Sequence, residues 1–216
     1  MTDALYSLGV VPVVAIEDAS HALPLADALI AGGLPVAEIT FRTAAGADVI
    51  EIIARERPEM LIGAGTVLSP EQAKRARACG AQFAVAPGLN PDVVRAAFDE
   101  ELPFFPGVMT PSDVECALSL GCRQLKFFPA GPAGGVPMLK ALTAPYKHMG
   151  VKFMPTGGVT LENLADYLAV ESVTAVGGTW IAATAAIRAG DWSGITERAR
   201  AAAEVVRRVR GGAAVS

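Results

Sequence analysis

The chain has 216 residues, 18 basic and 22 acidic side chains for a net charge of −4, and 52% hydrophobic residues. That length suits one domain with a sizeable core, 1–216. The balanced charge, free of basic runs, excludes a nucleic-acid surface, and no apolar run reaches the ~18–20 residues of a membrane span.

Chemistry-bearing residues are few. Cys79, Cys116 and Cys122 show no C-x-x-C spacing, and His21 and His148 are the only histidines. This pattern reads as inert reduced thiols in a cytoplasmic protein, without a zinc site. The start, Met1-Thr2-Asp3, lacks the basic and apolar regions of a secretion signal.

Eight short apolar runs follow in chain order: Val10–Ile16, Val36–Thr40, Leu61–Gly65, Gln82–Val85, Pro103–Pro106, Gln124–Phe128, Lys152–Pro155 and Val173–Gly177. Continuous runs of this length suit strands buried on both faces. Ala-rich helical segments lie between them. Ser69-Pro70-Glu71-Gln72 offers an N-cap, a first-position proline and a capping-box glutamine. Asn90-Pro91 and Thr110-Pro111 repeat the arrangement, and Thr160 is placed to cap a helix starting at Leu161. Gly80 and Gly121 stop their helices in left-handed geometry. A long amphipathic helix occupies the region after position 193, and Gly211–Ser216 is expected to fray.

Strict alternation of strand and helix predicts a parallel sheet. Eight units in one chain predict a single α/β domain, a closed (β/α)8 TIM barrel. The open-sheet alternative wants a glycine-rich dinucleotide turn after the first strand, where Ile16-Glu17-Asp18 stands instead.

In such a barrel the active site lies at the C-terminal ends of the strands. Lys126 stands in the apolar stretch Leu125-Lys126-Phe127-Phe128. A buried ammonium is costly, and desolvation favours the neutral amine that attacks carbonyls. The alternative is a lysine that snorkels to solvent. Glu38, in Val36-Ala37-Glu38-Ile39, is the second charge set within a strand. Two opposite charges inside one barrel can meet across its axis, either as a structural ion pair or as a nucleophile with its proton carrier. Arg42, four residues after Glu38, is a candidate carboxylate clamp or a surface arginine. Thr66 closes a Gly-Ala-Gly turn that lets backbone approach a ligand. Thr156-Gly157-Gly158 and Gly177-Gly178-Thr179 end the last two strands, where this fold commonly cradles phosphate.

Taken together the chain resembles the 2-keto-3-deoxy-6-phosphogluconate (KDPG/KHG) aldolases. The resemblance rests on Val11-Pro12-Val13, Glu38-Ile39-Thr40-Phe41-Arg42-Thr43, Gly63-Ala64-Gly65-Thr66-Val67-Leu68, Ala86-Pro87-Gly88, Lys126-Phe127-Phe128-Pro129-Ala130, Pro155-Thr156-Gly157-Gly158 and Gly177-Gly178-Thr179-Trp180, in the family's order. It implies a Schiff-base lysine at Lys126 and an acid/base at Glu38. It implies pyruvate-carboxylate ligands at Arg42 and Thr66, further substrate contacts at Pro87 and Phe128, and a phosphate site at Gly157, Gly158, Gly178 and Thr179. Thr179 departs from the family's usual serine but keeps the hydroxyl; Phe41 departs from an aliphatic residue.

The implied reaction is Entner–Doudoroff cleavage of KDPG to pyruvate and D-glyceraldehyde 3-phosphate, with 4-hydroxy-2-oxoglutarate as a further substrate. It needs no cofactor and no metal, since the iminium is the electron sink. The resemblance also implies a homotrimer. Three alternatives stay open: an aldolase for the 6-phosphogalactonate epimer, a phosphosugar isomerase, and a non-catalytic phosphosugar-binding barrel. An isomerase needs no buried lysine, and a binding protein has no reason to bury Glu38 with Lys126.

Overall fold

The computed structural model describes residues 1–211. Of the end predicted to fray, Gly211 closes the last helix, Trp192–Gly211, and the rest lies outside the described residues. No described helix is long and apolar enough to cross a membrane.

The strands are β1 (Val10–Val14), β2 (Val36–Thr40), β3 (Leu61–Gly65), β4 (Phe83–Val85), β5 (Phe104–Phe105), β6 (Gly107–Val108), β7 (Gln124–Phe127), β8 (Lys152–Pro155) and β9 (Val176–Gly178). Every named pairing is parallel. A curled six-stranded sheet runs β5-β4-β3-β2-β1-β9, and a three-stranded sheet runs β6-β7-β8. All residues of β1 and β2 are buried, which is why these runs read as continuously apolar.

Two strands depart from the sequence reading. The fifth run was predicted to end at Pro106; instead the strand is split there and continues to Val108. Proline has no N–H to give a ladder, so the pairing breaks at that residue. Phe104–Phe105 pairs with β4, and Gly107–Val108 pairs with β7. The last strand forms at Val176–Gly178, while Val173 keeps only an isolated bridge to Phe153. A second bridge joins Thr156 to Gly177.

Local signals fix the helices. Ser69, Asn90 and Thr110 each accept a backbone N–H at the head of a helix whose first residue is proline. Gln72 reaches back to the Leu68 N–H at 2.6 Å rather than to that of Ser69. Gly80 and Gly121 have φ of 95° and 88°. Thr160 is the exception: the next helix starts at Leu164, because Asn163 Oδ1 takes the Thr160 N–H at 2.9 Å and holds residues 160–163 in a turn. A first helix, Thr2–Leu8, has no capping side chain and was not read from the sequence. The last helix packs on Ala22–Ala31, with Thr196 Oγ1 donating to Ala28 O at 2.9 Å. All three cysteines are free; burial pushes the Cys122 thiol up to about 11 and raises that of Cys79.

Candidate active site

The structure brings Lys126 and Glu38 together. Lys126 is in β7 and Glu38 in β2, and Lys126 Nζ lies 3.3 Å from Glu38 Oε1. Their side chains are only 6% and 1% exposed, so neither snorkels to solvent. The other carboxylate oxygen, Oε2, is buried with no hydrogen-bond partner. Lys126 Nζ also sits over the face of the Phe128 ring, 5.4 Å from its centroid.

Glycines make room for this pair. A Cβ built on Gly65 would land on Glu38 Oε1, with Cγ at 2.7 Å and Cδ at 2.9 Å. One on Gly63 would fall inside the Phe83 ring, which meets Phe105 edge-on at 6.0 Å. The Gly63-Ala64-Gly65 segment, read from sequence as clearance for a ligand, instead clears space for Glu38 and Phe83. The last position of β2, Thr40, pairs with Gly65 and is itself 1% exposed.

Around this centre the remaining candidates take distinct places. Arg42 is exposed just past β2, and its Nε donates to Thr40 Oγ1 at 3.2 Å. Thr66 follows β3 with φ of 58°, a left-handed conformation that is a genuine outlier for a β-branched residue. Pro87 and Phe128 line an open cavity of ≈ 600 Å³ with Gly107, Met109, Asp113 and Pro129. Lys126 and Glu38 do not line that cavity, whereas Phe128, whose ring centroid lies 5.4 Å from the amine, does.

The Thr156–Gly177 bridge sets the two glycine-rich strand ends side by side. Gly157 and Gly158 have φ of 90° and 78°, which only glycine adopts without strain. A Cβ on Gly158 would stand 3.0 Å from Gly131 Cα. Thr179 is exposed, but Gly178 is buried, and a Cβ there would strike the Trp180 indole. Gly178 therefore seats Trp180 as much as it opens the backbone. The following helices begin only at Leu164 and Thr184, so the two turns rather than helix starts abut this place.

Comparison with known proteins gives the family. The sequence profile of the KDPG and KHG aldolases matches residues 1–198. The chain belongs to that family. It is 44% identical over 205 residues to a 2-dehydro-3-deoxy-phosphogluconate aldolase of Haemophilus influenzae, covering 95% of this chain and 96% of the relative. It is 44% identical over 195 residues to the KHG/KDPG aldolase of Escherichia coli, covering 90% and 91%. A crystal structure of KDPG aldolase from Legionella pneumophila, with pyruvate captured as a covalent carbinolamine, superposes with a TM-score of 0.89 at 41% identity, covering 94% of this chain and 98% of that one.

Three features of the candidate site were missed from sequence. Thr40 shares the strand face of Glu38, two residues on, so alternation alone would have placed it inward. Asn163 Nδ2 donates to Gly158 O at 3.2 Å and ties down the glycine turn; nothing local in the sequence marks that contact. Trp180 covers Gly178, and its buried Nε1 has no hydrogen-bond partner.

Proposed function

We propose that the protein is a class I aldolase that cleaves 2-keto-3-deoxy-6-phosphogluconate to pyruvate and D-glyceraldehyde 3-phosphate through a Schiff base on Lys126. The observation that carries this reading is the buried pair of Lys126 Nζ and Glu38 Oε1 at 3.3 Å. A buried ion pair adds little stability, whereas an amine beside a proton carrier is the minimal equipment for Schiff-base chemistry.

In this mechanism the Lys126 amine attacks the C2 ketone, and loss of water from the carbinolamine gives an iminium. Glu38 accepts the C4-hydroxyl proton. The C3–C4 bond breaks, its electron pair passes to the iminium nitrogen, and the aldehyde leaves. Glu38 returns the proton to C3 of the enamine, and water hydrolyses the resulting iminium to pyruvate and free amine. Arg42 and Thr66 hold the pyruvyl carboxylate, and Pro87 and Phe128 flank the substrate chain. Gly157, Gly158, Gly178 and Thr179 receive the phosphate at the joined ends of β8 and β9.

The same reading takes the two sheets as one closed (β/α)8 barrel forming a single domain over 1–216. In its support, the chain passes without a break from β5 to β6 at Pro106, and two bridges link β8 to the region of β9. It also takes the protein to be a cytoplasmic homotrimer. Cleavage of 4-hydroxy-2-oxoglutarate is a second activity of the same site, since that substrate supplies the same pyruvyl half to Lys126; the name of the E. coli relative supports it.

The experiment is a coupled pyruvate-release assay on the 6-phosphogluconate and 6-phosphogalactonate substrates side by side. The expected outcome is faster release from the gluconate series. Preference for the galactonate epimer would reassign the substrate, and no release from either would leave a binding protein.

A further inference from the structure

Among the described residues, Arg42 makes one hydrogen bond, from Nε to Thr40 Oγ1 at 3.2 Å, and no carboxylate pairs with it. A free, exposed arginine samples many rotamers, and a fork-shaped ligand must collect it from all of them. Thr40 is well made to reduce that freedom. It is 1% exposed, its backbone is registered to Gly65, and the next residue, Phe41, donates its N–H to Gly65 O at 2.8 Å. A β-branched side chain on such a strand is stiff at χ1, so its hydroxyl is a fixed acceptor.

We propose that Thr40 is the positioning residue for Arg42, its hydroxyl accepting the Nε–H so that the Nη1 and Nη2 edge of the guanidinium faces the substrate carboxylate. This rests on the reading of Arg42 as the carboxylate ligand. A guanidinium presents two hydrogen-bonding edges: one pairs Nε with a terminal nitrogen, the other pairs the two terminal nitrogens. With Nε held by Thr40, the terminal edge is the one left for bidentate capture. Thr40 touches no reacting atom in this account, so its loss weakens capture and spares the chemistry that follows.

The test is borohydride trapping of pyruvate on the enzyme across a range of pyruvate concentrations, giving a half-saturating concentration and a limiting rate. Thr40→Val keeps the shape and removes the acceptor; Thr40→Ser keeps the acceptor. Thr40→Val is expected to raise the half-saturating concentration about 5–10-fold, the worth of one hydrogen bond, with the limiting rate unchanged. Thr40→Ser restores capture. Arg42→Lys also weakens capture, and adding Thr40→Val to it adds nothing, because lysine has no Nε–H for the hydroxyl to hold.

An additive double variant, a Thr40→Ser as damaged as Thr40→Val, or a loss in limiting rate alone would each overturn the proposal. So would a Thr40→Val indistinguishable from native while Arg42→Lys is impaired. If Arg42→Lys captures pyruvate normally, the role of Arg42 itself fails, and Thr40 falls with it. Should Thr40→Val fold poorly, Thr40→Ala against Thr40→Ser makes the same comparison.

Discussion

Adding one methyl group at Gly65 should disable the site from behind. In Gly65→Ala the new Cβ would overlap Glu38 Oε1 and approach Cγ at 2.7 Å and Cδ at 2.9 Å. Ordinary carbon contacts are 3.5–4.0 Å, so the carboxylate must retreat by about 1 Å. Glu38 is 0% exposed, so its retreat displaces buried neighbours and part of the strain stays in the fold. Overpacking of this kind costs about 1–3 kcal/mol, and at about 2–4 °C per kcal/mol for a chain of this size the melting temperature falls by roughly 2–12 °C. The functional loss should be larger, because a misplacement of about 1 Å in a catalytic group costs on the order of 10²-fold.

Gly63→Ala is the matched control. The three atoms nearest to its Cβ all belong to the Phe83 ring, so that ring takes the first collision. Both variants should melt early, but only Gly65→Ala should lose kcat by about 10²-fold in the pyruvate-release assay. Equal losses of kcat in two folded variants, or a fully active Gly65→Ala, would refute the packing argument for Glu38.

Other outcomes follow from the same geometry. Pyruvate and borohydride should leave a permanent adduct on the peptide containing Leu125-Lys126-Phe127, absent in Lys126→Ala. An adduct on Lys140, Lys147 or Lys152 with Lys126→Ala still active would defeat the mechanism. Glu38→Gln keeps the shape but exchanges no proton, so turnover should drop by roughly 10²–10⁴-fold while slow adduct formation persists. Thr179→Glu sets a carboxylate on an exposed strand end without touching the packing under Trp180. It should impair cleavage of the phosphorylated substrate and leave iminium formation with pyruvate intact; equal loss of both would move the phosphate elsewhere. Thr66→Gly relieves a left-handed threonine at φ 58°. Stability should hold or rise while pyruvate capture weakens; a plain loss of stability with normal capture would show the strain to be structural rather than functional.

The parts of this molecule legible in sequence are those where one residue contradicts its surroundings. A lysine and a glutamate inside apolar strands cannot be solvated there, so their meeting could be anticipated across 88 residues. Serine, asparagine and threonine before proline announce helix starts, because each signal acts within four residues. What escaped depends on tertiary neighbours. A Gly-x-Gly at a strand end looks the same whether it clears a ligand or the Glu38 carboxyl. Thr160 carried an honest local cap signal, but Asn163 competed for the turn and won. The left-handed Thr66 was hidden because threonine is among the residues least expected in that conformation.

Lys126 and Glu38 come from different sheets, each held by its own ladder, and only their docking makes a pair. In the proposed mechanism catalysis is therefore a late event in the life of the polypeptide. A nascent chain that has released β2 from the ribosome holds half of the site and waits for about ninety more residues before the other half exists. Either sheet could form its local contacts early, since loop-closure entropy grows only slowly with separation, yet no activity can precede the long-range contact. During refolding, return of the pyruvate adduct would time the joining of the two sheets, an event that backbone spectroscopy, dominated by the helices, would largely overlook.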